Sequence, residues 1–278
     1  MTAVLRVEHL EKRYGSFVAV EDVSFSVEKG EIFGILGPNG AGKTTTVECL
    51  QGLRFADGGE LSVLGHDPRR ESKQLRRRIG SQLQESALPD RIKVWEALEF
   101  FSTLTSDGPD WVSVMEQWGL AEKRDATFGS LSGGQQQRLF VALAVVNAPE
   151  LVFLDEMTTG LDPSSRRVAW CLIRQIRDGG ATVVLVTHFM DEAENLCDRL
   201  AVIAGRRVVA IDTPDGRVDR YPGEAEGTFS TDADDLTILD QVDGGESVTP
   251  AGRKLAITGH GAVRANVAAA LVARSQAP

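Results

Sequence analysis

IFGILGPNGAGKTT, residues 32–45, passes from a short apolar run into a glycine-rich loop and ends on a lysine and two threonines. Residues 37–44 fit G-x-x-x-x-G-K-[ST], the loop that joins a buried strand to a helix and cradles phosphates. Gly37, Gly40 and Gly42 let the backbone curl until its N–H groups point inward, with Pro38, Asn39 and Ala41 completing the loop. A helix beginning near Lys43 adds the positive end of its dipole at the same place. Lys43 would reach the β- and γ-phosphates of a nucleotide, the Thr44 hydroxyl would ligate Mg²⁺, and Thr45 belongs to the same phosphate-facing turn.

Downstream, LVFLDEMTTGLDP (151–163) drives four apolar residues into two adjacent acids, Asp155 and Glu156. A parallel sheet binds ligands at the carboxyl ends of its strands, so the apolar run reads as strand body and the acids as its tip. Asp155 would stand on the metal side, acting through the water shell that Mg²⁺ keeps. Glu156 would polarise an attacking water. His188 follows another buried run, TVVLV, at the same sheet edge, where an imidazole can hydrogen-bond a γ-phosphate.

Short strands alternate with helices along the first 220 residues, which predicts an α/β fold with a mainly parallel sheet covered on both faces. Residues 4–36 read as strands, GELSVLG as another, and 91–148 as mostly helical with breaks at SDGPD and FGSLSGG. The closing pattern is strand LVFLD, helix 163–178, strand ATVVLVTH, helix MDEAENLC, then strands RLAVIAG and RRVVAID. Composition shifts near DRYPGEAEGT, giving a main domain at 1–221 and a small α+β appendage at 222–278. The appendage reads as strands at 227–231, 246–249 and 253–258 and helices at 234–241 and 262–274. About 55 residues bury little surface alone, so it is expected to dock on the main domain or on another copy.

The net charge of −10 opposes a general role in binding nucleic acid. The chain opens with no signal pattern, and no apolar run approaches the roughly 20 residues needed to span a bilayer. It is therefore expected in the cytoplasm and soluble when isolated. Cys49, Cys171 and Cys197 are far apart and read as reduced, buried thiols, and His9, His66 and His260 as structural or exposed. The basic run RRESKQLRRR (69–78) reads as a solvated helix face, with contact to lipid head groups or a partner as the second reading.

LSGGQQQR (131–138) is the most specific stretch. Ser132 suits a helix N-cap, and Gly133 and Gly134 expose backbone N–H groups at the start of a long helix. That is a second phosphate site, which a head-to-tail dimer can use and a single active site does not need. Here the chain resembles the nucleotide-binding subunit of an ATP-binding cassette (ABC) transporter, over about residues 1–220 and with the family's motifs in the family's order. The resemblance implies a P-loop NTPase core with an N-terminal antiparallel β-subdomain and a helical signature subdomain at about 86–148. It places Tyr14 where the family stacks an aromatic on adenine. Gln84 falls at the Q-loop, which touches Mg²⁺ and the membrane partner, with Gln82 as the competing position. Ser132 to Gln135 form the signature, Glu156 is the general base, Asp162 lies at the dimer seam and His188 is the switch histidine. Met157 stands where the family usually has proline.

With no membrane span and one cassette, the resemblance implies a separate integral-membrane permease, a second ATPase subunit, most simply an identical one, and attachment at the cytoplasmic face of the membrane. The closest likeness is to ATPases of bacterial drug-resistance exporters, moving drug-like or lipid-like compounds. The rivals are a non-transport ABC ATPase and an importer ATPase with a regulatory C-terminal domain. Chromosome-type members carry long coiled coils between the two phosphate motifs, where this chain has only residues 46–130. LSGGQ opposes a P-loop kinase or GTPase.

Overall fold

The computed structural model describes residues 3–82, 87–104, 108–213, 227–230, 245–251 and 254–259. Its elements run β1 (Ala3–Tyr14), β2 (Phe17–Glu28), β3 (Ile32–Leu36), α1 (Lys43–Leu50), β4 (Gly58–Val63), α2 (Ser72–Arg76), β5 (Ile79–Gln82), α3 (Val94–Ser102), α4 (Trp111–Gln117) and α5 (Gly133–Val145). They continue with β6 (Leu151–Asp155), α6 (Pro163–Asp178), β7 (Thr182–Thr187), α7 (Met190–Leu196), β8 (Arg199–Ala204) and β9 (Arg207–Asp212).

One sheet has the order β4-β1-β2-β9-β8-β3-β7-β6-β5. From β8 to β5 neighbours run parallel, while β1 pairs antiparallel with β2 and β4, and β8 with β9. Every residue of β3, β6 and β7 is buried, because both faces of these strands are covered. Side chains alternate between the two cores. Phe33, Ile35, Phe153, Val184 and Val186 pack with α1 and the antiparallel strands. Ile32, Leu36, Val152, Leu154, Val183 and Leu185 pack with the helices from α3 to α7.

The helical stretch breaks where expected, before α4 and before α5. β5 was not foreseen: its text, IGSQ, is short, holds a glycine and has one apolar side chain. A Cβ on Gly80 would collide with the Ala144 carbonyl, so the glycine lets the backbone of α5 lie directly on this strand. The basic run also departs from expectation. Only Ser72–Arg76 is helical, and three arginines of the run are paired, Arg69 and Arg70 with Asp67 at 3.1 and 3.8 Å and Arg78 with Glu150 at 2.6 Å. Of the cysteines, Cys49 and Cys197 are buried thiols but Cys171 is exposed, since it lies on the outer face of amphipathic α6.

The chain divides into two units between Pro214 and Asp215, earlier than the 221/222 boundary expected. In the second unit β10 (Gly227–Ser230), β11 (Gly245–Ala251) and β12 (Lys254–Gly259) form an antiparallel sheet of order β10-β12-β11. The helices expected at 234–241 and 262–274 lie outside the described residues. Among the described residues no helix is long and apolar enough to cross a membrane.

Candidate active site

Strand register gathers the site. Leu36 of β3 pairs with Thr187 of β7, and Asp155 of β6 pairs with Val186. Gly37, His188 and Glu156 therefore leave the sheet side by side. Gly42, at φ 99°, turns the phosphate loop into α1, and a Cβ there would stand 2.6 Å from the Ala19 carbonyl. The turn needs glycine for both reasons.

Lys43 Nζ donates to the carbonyls of Gly37 (2.9 Å) and Pro38 (3.1 Å) and lies 3.5 Å from Glu156 Oε1. His188 Nδ1 lies 3.2 Å from the same oxygen. The Lys43 and Glu156 side chains are only 4% and 7% exposed. An ammonium, a carboxylate and an imidazole thus meet in a nearly dry setting, where charge interactions are strong. Glu156 reaches this position through a left-handed backbone, φ 49°, with its N–H bonded to the Val186 carbonyl at 3.0 Å. Met157 turns away into the helical core and is buried.

Asp155 is buried, and that burial pushes its pKa up to about 6; the adjacent Glu156 carboxylate adds to the rise, while a hydrogen bond from Thr44 and the charge of Lys43 oppose it. Its Oδ1 is buried with no hydrogen-bond partner among the described residues. An orphaned carboxylate oxygen beside a threonine hydroxyl suits Mg²⁺, which prefers one or two protein oxygens and takes the remainder from phosphate and water. Among the described residues there is no cluster of three or more acid, His or Cys side chains able to cage a metal.

A cleft of about 420 Å³ opens over the loop, lined by Asn39, Gly40, Gly42, Lys43, Thr44, Thr45 and Glu156 and walled by Phe17 and Ala19 of β2. Tyr14 is not on that wall. It ends β1, 41% exposed, with Lys12 Nζ and Arg54 Cζ 5.2 and 5.9 Å from its ring centre. The aromatic on the wall is Phe17, whose ring carries the Arg206 guanidinium at 4.8 Å. Arg206 also joins Pro38 and Ala41 in lining a smaller neighbouring cleft.

The remaining sequence-predicted residues lie elsewhere. Ser132 caps α5, its N–H bonded to Gln135 Oε1 at 3.0 Å, and apart from chain neighbours and the helix's own backbone no described atom comes within 4 Å of where a Cβ on Gly133 or Gly134 would be. None of these four lines the phosphate-loop cleft. Exposed Asp162 caps α6 by accepting from the N–H groups of Ser164 (2.9 Å) and Ser165 (3.1 Å), and the hydroxyls of those serines hold its carboxyl well below the usual range. Gln84 lies outside the described residues. Its competitor Gln82, at the end of β5, is buried and accepts from Gln137 Nε2 of α5 at 3.2 Å.

Sequence reasoning missed Glu192. It sits one turn after His188 and is fully buried, which raises its pKa; the hydroxyls of Thr187 and Thr158 and the indole of Trp170 oppose that rise. Trp170 Nε1 donates to its Oε1 at 3.2 Å. The carboxylate is thus tied to helix α6, with the hydroxyls of Thr187, before His188, and Thr158, after Glu156, acting on the same group. A single acid in an amphipathic helix reads as solvated, and only its i+4 spacing from His188 could have drawn notice.

Residues 20–159 match the family model described as ABC transporter. This chain belongs to the ABC transporter family. It is an ATP-binding, ATP-hydrolysing subunit of such a transporter. It is 41% identical over 221 residues to a Nod factor export ATP-binding protein I of Ralstonia nicotianae, covering 77% of this chain and 68% of that one. It is 41% identical over 225 residues to the daunorubicin resistance ATP-binding protein DrrA2 of Streptomyces coeruleorubidus, covering 79% and 70%. Among solved structures, an ATP-binding subunit of an ABC transporter matches with TM-score 0.69 and 26% identity over 78% of this chain and 92% of that one. CbiO1 of Clostridium perfringens, part of an ABC transporter complex, matches with TM-score 0.71 and 25% identity over 79% and 92%.

Proposed function

We propose that this ATPase powers an exporter. Two copies pair head to tail, enclose two ATP–Mg²⁺ and drive an integral-membrane permease on a separate chain at the cytoplasmic face of the membrane. The observation that carries the catalytic reading is Glu156 Oε1, held 3.5 Å from Lys43 Nζ and 3.2 Å from His188 Nδ1 at the mouth of the phosphate loop.

In this reading the loop N–H groups and Lys43 hold the β- and γ-phosphates. Glu156 accepts a proton from the water that attacks the γ-phosphorus in line, and His188 steadies a γ-phosphate oxygen. Thr44 and Asp155, with Gln84, would hold Mg²⁺, whose chemistry is to neutralise charge on the phosphate oxygens. Ser132, Gly133, Gly134 and Gln135 of the second copy close over the γ-phosphate, with Asp162 at the seam. Their open backbone, apart from the cleft of their own chain, supports that role. Hydrolysis removes the bridge and the dimer opens. The relatives named for Nod factor export and daunorubicin resistance support an amphiphilic, drug-like or lipid-like cargo moved outward. The C-terminal unit is an accessory module, and no nucleic acid is involved.

Replacing Glu156 with Gln tests the base. Removing a general base costs on the order of 10² to 10⁴ in rate. ATP binding should survive while turnover collapses and an ATP-bound dimer accumulates on gel filtration. Wild-type turnover would overturn the assignment.

A further inference from the structure

The site leaves unused the basic run singled out in the sequence. After Arg69, Arg70 and Arg78 are subtracted as ion-paired, exposed Lys73, Arg76 and Arg77 remain. Arg70 pairs with Asp67 at 3.8 Å, while Lys73, Arg76 and Arg77 pair with no acid among the described residues. Lys73 and Arg76 of α2 and Arg77 at its C-cap share one face, and Leu75 anchors the opposite face in the core.

This cationic face continues into an apolar one. Arg76 Nη2 donates to the Gly52 carbonyl at 3.3 Å, and a Cβ on Gly52 would meet Ser72 Cβ at 3.1 Å, so the loop after α1 lies against the start of α2. That loop presents Leu53 and Phe55, 46% and 71% exposed. Arg54 between them is neutralised by Glu48 at 3.0 Å. Exposed aromatic and aliphatic side chains beside uncompensated cations form the pattern of a surface that lies at a lipid interface. On a chain of net charge −10, such a patch is also directional: an anionic surface attracts this face and repels the remainder.

We propose that α2 and the adjoining loop form a docking face for anionic lipid head groups, with Lys73, Arg76 and Arg77 supplying charge and Phe55 and Leu53 dipping into the interface. The proposal draws on the permease-coupled reading only for placing the chain at a membrane, and its test needs no permease.

The full-length chain is mixed with vesicles of phosphatidylcholine alone or of phosphatidylcholine with phosphatidylserine, and floated at low and physiological salt. Wild type should float with the anionic vesicles, less so as salt rises, and remain behind with the neutral ones. Each cation near such a surface is worth about fivefold in partitioning, so Lys73→Glu/Arg76→Glu/Arg77→Glu should lower it by at least about 100-fold. Lys73→Glu/Arg77→Glu keeps the Arg76–Gly52 bond and should still lose at least about 25-fold. Phe55→Ser should weaken binding without changing its salt dependence. ATPase activity of each variant, measured in parallel, separates loss of this face from loss of the fold or of the ATPase reading. Equal flotation on neutral and anionic vesicles would overturn the proposal. So would unchanged flotation of the double variant, or wild type that hydrolyses ATP but floats with neither vesicle, which would leave the face to a protein partner.

Discussion

Asp155→Asn should make the nucleotide-free protein more stable while disabling it. Burial raises the Asp155 carboxyl from the usual 3.8 to about 6, so the folded state holds its proton more tightly than the unfolded state does. Well below pH 4 both states are protonated and the residue costs nothing. Between about pH 4 and 6 the unfolded chain gives up this proton while the folded protein keeps it, and stability falls until the buried group ionises. A rise of that size corresponds to roughly 3 kcal/mol, lost in full above pH 7. Asparagine has nearly the same shape, can accept from Thr44 and carries no charge. The variant should thus match wild type near pH 4 and exceed it by about 3 kcal/mol at pH 7.5, or about 6–12 °C in Tm for a domain of this size. Scanning calorimetry from pH 4 to 8, with chelator and without nucleotide, measures the gap. Other buried acids, Glu192 and Glu31 among them, titrate in both proteins and cancel in the difference. Adding Mg²⁺ and ATP should then stabilise wild type more than the variant. A gap that does not change with pH, or a variant less stable at pH 7.5, would refute the reasoning.

Further outcomes follow from the same geometry. Lys43→Ala should abolish measurable binding of a fluorescent ATP analogue; unchanged affinity would remove the phosphate-loop assignment. Tyr14→Ala and Phe17→Ala separate the two aromatics: stacking on a base is worth about 1–3 kcal/mol, so nucleotide affinity should fall by about 5- to 150-fold for Phe17 and little for Tyr14, as titration would show. Glu192→Ala leaves buried donors unpaired, which costs about 1–3 kcal/mol in a melt, and should lower kcat more than it raises KM; Glu192→Gln should restore both. Gly80→Ala forces α5 off β5 and should destabilise by about 1–3 kcal/mol, read from urea unfolding.

The candidate site was legible because it is local in sequence. A loop such as 37–45 must carry its glycines, lysine and threonine consecutively, and a buried strand must end in its acids, so motif and structure coincide. The parallel core was legible for a similar reason: strands covered on both faces are apolar without alternation, as in β3 and β7. What stayed hidden depends on contacts far apart in the chain. β5 is a strand because Gly80 admits the backbone of α5, and nothing near residue 80 says so. Glu192 looks solvated until Thr158, Thr187 and Trp170 are brought around it. Phe17 reads as one more alternating strand residue, and its place on the cleft wall is set by how β2 runs past the loop. Met157, at a position where proline was the family expectation, is decided by packing, since its side chain fills the core beneath β6.

The left-handed backbone of Glu156 sets stability against the proposed catalytic role at a single residue. A side chain at φ 49° costs about 1–2 kcal/mol relative to glycine, so a search for thermostable sequences would favour Gly or Asn at 156 on folding grounds alone. Any such improvement would delete the carboxylate that meets Lys43 and His188. A stability-guided redesign of this protein should therefore hold residue 156 fixed. On the proposed role of Glu156, a library selected only for solubility or heat resistance should accumulate silent, non-hydrolysing cassettes through this one position.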